Sequence, residues 1–245
     1  DYPADNARVV VMGLCPSAMT TADSHTTYSL PSRAGLTDVL VTPNGVTGSR
    51  KQPFGRALEF AHAAVRIVLK ARRTDNTVGK LYVKNLKLTV PARLVCGGLK
   101  WDTGTKQYLA APAATDLVIN HSGQILSTED TQVAVFYLTP CSPADLLTDL
   151  TGTGGTPGLT LTADVAKDIN FTTGARNASF PILDGNLNFM DQFGSPATQL
   201  KGGESYETTL KFDIGSFTLE GEEKEWEDGG KMTVPVVVPE PTPGP

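Results

Sequence analysis

The length of its apolar runs is what most constrains this chain. "ARVVVMGL", "TDVLVT", "VRIVLKA", "LYVKNLKLTVPA", "TDLVIN", "VAVFYLT", "LTLTADV", "TTLKFDI", "SFTLEG" and "MTVPVVV" are mostly about 5–8 residues long and rich in β-branched residues. Turn chemistry separates them at Pro43-Asn44-Gly45, Thr74-Asp75-Asn76, Cys96-Gly97-Gly98 and His121-Ser122-Gly123. Short runs punctuated by 24 glycines, 17 prolines and many threonines predict an all-β sandwich architecture.

One stretch resists that reading. In "FGRALEFAHAAVRIVLKA" (Phe54 to Ala71), helical spacing aligns Leu58, Ala61, Val65, Val68 and Leu69 on one stripe. Strand spacing instead puts Val65, Ile67 and Leu69 on one face and Arg66, Val68 and Lys70 on the other. Periodicity alone leaves both open. "SPADLLTDL" (Ser142 to Leu150) is the other helix-like segment, with Ser142 placed to cap a turn opened by Pro143.

A chain 40% hydrophobic and 19% charged can bury a core, and no run approaches the roughly 18 apolar residues of a bilayer span. The net charge of −5 argues against nucleic acid as a partner. That charge is local: "EGEEKEWEDGG" carries six acids against Lys224, which predicts a solvated acidic hairpin or loop. It lacks the alternating-acid loop of a calcium site. The apolar run "VVVMGLCPSA" (Val9 to Ala18) ends near a cysteine as a lipoprotein signal does. The acidic start and the bulky Leu14 favour a strand there, and a mature chain is expected.

The usual catalytic constellations fail on spacing. Cys15, Cys96 and Cys141 form neither a zinc pattern nor a redox pair, and buried free thiols are expected. His25, His62 and His121 have no i, i+4 partner. Neither a G-x-S-x-G elbow nor a phosphate-binding loop is present; "TGTGGTPG" (Thr151 to Gly158) reads as a loop or hairpin tip. No enzyme, metal or cofactor is predicted. His62, flanked by alanines, reads as a buried histidine bonded to backbone or a hydroxyl.

Several segments, in order, carry a family resemblance. "TDVLVT" (Thr37 to Thr42) precedes "LEFAHAAVRIVLK" (Leu58 to Lys70), then "LYVKNLKLTV", then "VFYLTPCS" (Val135 to Ser142). Near the end comes "KGGESYETTLKFDIGSFTLEGEEKEWEDGG" (Lys201 to Gly230). This succession resembles the fimbrillin-like proteins of Bacteroidales, type V pilins and related surface adhesins. The resemblance implies that Phe60-x-His62 opens a core strand, with a bulge or turn near Ala63 and Val65, Ile67 and Leu69 facing inward.

It further implies two tandem transthyretin-like β-sandwich domains, residues 1–139 and 140–245. The first lacks its early strands and the second ends in a proline-rich tail. The implied function is structural and adhesive, at the cell surface after export across the outer membrane. Partners would be other pilus subunits joined by β-strand addition, and a host or bacterial surface glycan or protein. "MTVPVVVP" (Met232 to Pro239) is the candidate donor strand, presenting Met232, Val234, Val236 and Val238; Pro235 would forfeit one ladder bond. An alternative is a last strand in its own sheet. A monomeric glycan-binding module would use Trp101 and Tyr108, unless those aromatics merely cover a hairpin. A β-sandwich hydrolase would need convergent carboxylates.

Overall fold

A computed structural model of the chain describes residues 6–17, 19–22, 25–30, 32–43, 45–49, 51–52, 58–73, 81–125, 128–142, 145, 158–181, 199–213, 216–225 and 229–236. The ambiguous stretch becomes two strands with a corner between them. Ala61–His62 (β7) pairs with Leu40–Val41 (β5), and Val65–Arg73 (β8) runs through the centre of another sheet. At the corner the Ala63 amide donates to Val39 O (2.9 Å) and the Gly203 amide to Ala64 O (2.9 Å). A Cβ on Gly202 would lie 2.5 Å from Ala63 O, so only glycine lets that loop pack so closely. β8 buries Val65, Ile67, Leu69 and Ala71 on one face, as strand alternation requires. A helix would have left both of its pairing edges unused.

The other described strands, in chain order, are Val9–Val11 (β1), Leu14–Cys15 (β2), Thr20–Ala22 (β3), Thr27–Ser29 (β4), Val46–Gly48 (β6), Tyr82–Val90 (β9), Cys96–Asp102 (β10), Gln107–Pro112 (β11), Leu117–His121 (β12), Thr131–Leu138 (β13), Thr160–Ala166 (β14), Arg176–Pro181 (β15), Glu204–Asp213 (β16), Ser216–Glu225 (β17) and Gly229–Val236 (β18). The chain is all-β. β1 and β6 pair alone, and the remaining sheets run β2-β5-β7, β11-β10-β4-β3, β12-β9-β14-β15 and β13-β8-β16-β17-β18.

Two cores result. The smaller gathers Leu30, Val39, Val41, Ala64, Cys96 and Leu99, with Leu14, Tyr28 and Tyr108 packed against them. It draws on strands of the β2-β5-β7 and β11-β10-β4-β3 sheets. The larger takes Phe136 and Leu138 from β13, Val83, Leu86, Leu88 and Val90 from β9, Leu161 and Val165 from β14, and Tyr206, Leu210 and Phe212 from β16. It therefore draws on both sides of Thr139: β14 lies antiparallel beside β9, and β16 lies parallel beside β8. A parallel neighbour needs a crossover connection, and β9 to β15 lie between β8 and β16 in the chain.

Cys96 and Cys141 are buried free thiols, raised by burial to about 11 and about 12 respectively; Cys15 is half-buried and also free. The run from Val9 gives two short strands, β1 and β2. Of the helix-like segment at Ser142, the described part is a turn in which the Ser142 amide and hydroxyl both donate to Asp145 Oδ2 (2.8 Å each). The rest of that segment, the glycine-rich stretch from Thr151 to Pro157 and the tail beyond Val236 lie outside the described residues.

Candidate adhesive surfaces

The candidate aromatics sit on the β10–β11 hairpin, where Trp101 pairs with Tyr108 across the ladder. The rings meet edge to face, with centroids 5.0 Å apart at 63°, and Tyr108 meets Tyr28 of β4 likewise (5.6 Å, 75°). The Tyr108 hydroxyl donates to His25 O (2.7 Å), which anchors the ring. Leu99 and Tyr28 pair one step further along the same sheet face and belong to the smaller core. Trp101 and Tyr108 are thus half-buried over the open end of that core. An aromatic ring engaged edge-on by a neighbour presents less free face to a sugar.

A second cluster lies where the cores meet. His62 Nδ1 is 2.5 Å from Asp38 Oδ2, and both side chains are partly buried. The partner is a carboxylate 24 residues away, which no local spacing announces. Burial raises the Asp38 carboxyl above the usual carboxylate range, outweighing the lowering by His62 and Arg66. Its Oδ1 is buried with no hydrogen-bond partner among the described residues. Arg66 donates to Ser205 Oγ (3.3 Å), and the Tyr137 amide donates to Gly35 O (2.8 Å). The segment before β5 is thereby tied to β7 and β13, and β8 to β16. This is a polar seam between two apolar cores.

Of the candidate donor residues, Met232, Val234 and Val236 fall in β18, the last strand of the five-stranded sheet, paired antiparallel with β17. The register sets Val234 opposite Leu219 and Val236 opposite Phe217; those two pair in turn with the buried Leu210 and Phe212. Val238 lies outside the described residues. Among the described residues no group of three or more histidine, cysteine or carboxylate side chains gathers as a metal site.

Neither a family model nor a curated protein matches the chain by sequence. Solved structures match by shape. A candidate cell adhesion protein from Bacteroides uniformis superposes with a TM-score of 0.50 at 14% identity, over 92% of this chain and 75% of that one. A candidate cell adhesion protein from Parabacteroides distasonis gives 0.48 at 13% identity, over 96% and 71%. A C-terminally truncated tip fimbrial protein from Porphyromonas gingivalis gives 0.33 at 8% identity, over 82% and 63%. The first of these shows a shared fold along almost the whole chain.

Proposed function

We propose that this chain is a structural and adhesive protein of the bacterial cell surface, a fimbrial subunit or a related adhesin, joined to its neighbours by β-strand addition. The shared fold with the Bacteroides uniformis protein supports the general reading. The observation that carries the finer one is the position of β18. Among the described residues it is the terminal strand of its sheet, paired along one edge, with alternate apolar residues in register with the buried Leu210 and Phe212 of β16. A strand so placed can close its own sheet or complete a neighbour's. Main-chain ladders supply affinity and alternate side chains supply fit.

On this reading the protein is exported, carries out no catalysis and needs no cofactor. The test is deletion of residues 232–245. The shortened protein is expected to keep a cooperative melt and to lose subunit joining, read by electron microscopy of producing cells and by laddering on unheated gels. Filaments built from the shortened protein would refute strand addition through this segment.

A further inference from the structure

The exposed face of the β12-β9-β14-β15 sheet carries an arrangement that three adjacent strands build together. Asp164 of β14 accepts from Asn85 Nδ2 of β9 (2.7 Å) at one carboxylate oxygen and from Asn177 Nδ2 of β15 (3.0 Å) at the other. These amides, Asn177 foremost, hold its carboxyl below the usual range, so it stays ionised in contact with solvent. Beside it, Lys84 Nζ stands 4.0 Å from the centre of the Phe171 ring. Phe171 projects from a loop that Asp168 fixes, accepting from the amides of Asn170, Thr172 and Thr173 and from the Thr172 hydroxyl.

Two non-glycine residues here adopt left-handed backbone: Asn85 (φ 51°) and Phe171 (φ 59°). Asparagine tolerates that region, but a bulky aromatic rarely enters it. Asn85 occupies the register shift between β9 and β14, which brings it beside Asp164 together with Lys84. Hydrogen bonds exposed to water add little to folding, so the fold gains little from holding this array in place.

We propose that Asp164, Asn85, Asn177, Lys84 and Phe171 form a saccharide-binding site that takes a neutral sugar through adjacent hydroxyls. Each asparagine spends one N–H on the carboxylate and keeps its second N–H as a donor and its Oδ1 as an acceptor. Each carboxylate oxygen keeps further lone-pair capacity. The array therefore offers acceptors and donors side by side and suits a ligand with several hydroxyls, each of which donates and accepts. Lys84 beside the carboxylate disfavours a metal cation, and Asp164 disfavours an anionic sugar. Phe171, with Lys84 Nζ over one face of its ring, adds apolar ring carbons next to the polar groups for the C–H groups of a pyranose. The site supplies the adhesive reading with a ligand class and rests on that reading.

The test applies the full chain to an array of hexose, N-acetylhexosamine, fucosylated and sialylated glycans, then measures affinity for the best neutral binder by saturation-transfer NMR. Asp164→Ala and Phe171→Ala should each weaken binding about tenfold or more, while Trp101→Ala and added EDTA leave it unchanged. Asn177→Asp, which replaces one amide donor with a second carboxylate, should do the same as Asp164→Ala and serves if that variant melts early. No bound glycan, binding that survives Asp164→Ala and Asn177→Asp, or binding abolished by EDTA would each overturn the assignment. Filament assembly is read separately through the 232–245 deletion, so failure of one result is not mistaken for failure of the other.

Discussion

Gly98 offers the sharpest quantitative test of the smaller core. It lies in β10 at a backbone φ of +148°, where the ladder with β11 shifts register and the ladder with β4 begins. A Cβ added there would stand 1.9 Å from Tyr28 O, 2.9 Å from Tyr28 C and 3.0 Å from Ser29 Cα. All three are backbone atoms, so no side chain can swing aside. Gly98→Ala must therefore push β4 away by about 1 Å, since real Cβ contacts essentially never fall below 3.0 Å. That shift strains the bonds from the Leu30 amide to Gly97 O and from the Trp101 amide to Thr26 O, both 2.7 Å, and loosens Tyr28 and Leu30 from the core. Overpacking costs about 1–3 kcal/mol and each compromised backbone bond about 1 kcal/mol, so a loss of about 3–5 kcal/mol is expected. Urea unfolding followed by tryptophan fluorescence reads it. Gly104→Ala, in an exposed turn whose nearest atom is Asp102 Oδ1 at 3.3 Å, is the control and should stay within about 0.5 kcal/mol of wild type. A Gly98→Ala protein equally close to wild type, with an unchanged urea slope, would refute the packing of β4 on β10 described above.

Two further expectations concern titratable groups. Asp168 is pulled down to about 2, chiefly by the Thr173 amide. A carboxyl lowered by folding contributes stability above its unfolded value near 3.8, and that contribution is lost as pH falls toward about 2. Carbon-detected NMR should therefore show the Asp168 carboxyl titrating near 2 and the 168–174 amides keeping their shifts down to that pH; a midpoint near 4 would contradict the loop geometry. Burial of Cys96 and Cys141 predicts that a thiol reagent at pH 8 labels Cys15 in the native protein and all three cysteines only after denaturation. Rapid native labelling of Cys96 or Cys141 would show that the core around it opens.

Local pattern carried the strands, and long-range pairing hid the sites. A strand's period of two puts Val65, Ile67 and Leu69 on one face, but helical spacing fits the same stretch, and only the resemblance of the surrounding segments favours the strand. The short runs and their turn residues led to the all-β architecture. Which strands become neighbours is set by contacts between distant segments, such as β8 with β16, and no local period encodes that. The Asp38–His62 pair spans 24 residues and the Asn85–Asp164 pair spans 79. Each residue alone is an ordinary polar residue; only the register of β9 against β14 makes a cluster of the second pair. Trp101 and Tyr108 are aromatics flanked by polar residues in one short segment, and that local pattern is the same for rings that cover a hairpin as for rings that meet a ligand.

The acidic segment near the C-terminus bears on how readily β18 could be exchanged. In the register of β16 and β17, Glu204 stands opposite Glu225 and Glu207 opposite Glu222, and like charges directly across a ladder weaken it. Lys70 of β8 pairs with Glu207, which secures β16 to the sheet from its other side. β18 opposes Glu222 with Lys231, but it also sets Pro235 against Thr218, a position where proline has no amide to donate. The attachment of the sheet therefore weakens outward from β16. The larger core takes Tyr206, Leu210 and Phe212 from β16, which also pairs with β8, whereas β18 pairs with the sheet through β17. If a strand of this chain is passed to a neighbour, the physical break falls beyond β16. Removing residues 232–245 then takes away the exchangeable strand while the buried rows built on β8, β9, β14 and β16 remain, which makes that deletion a test of assembly rather than of folding.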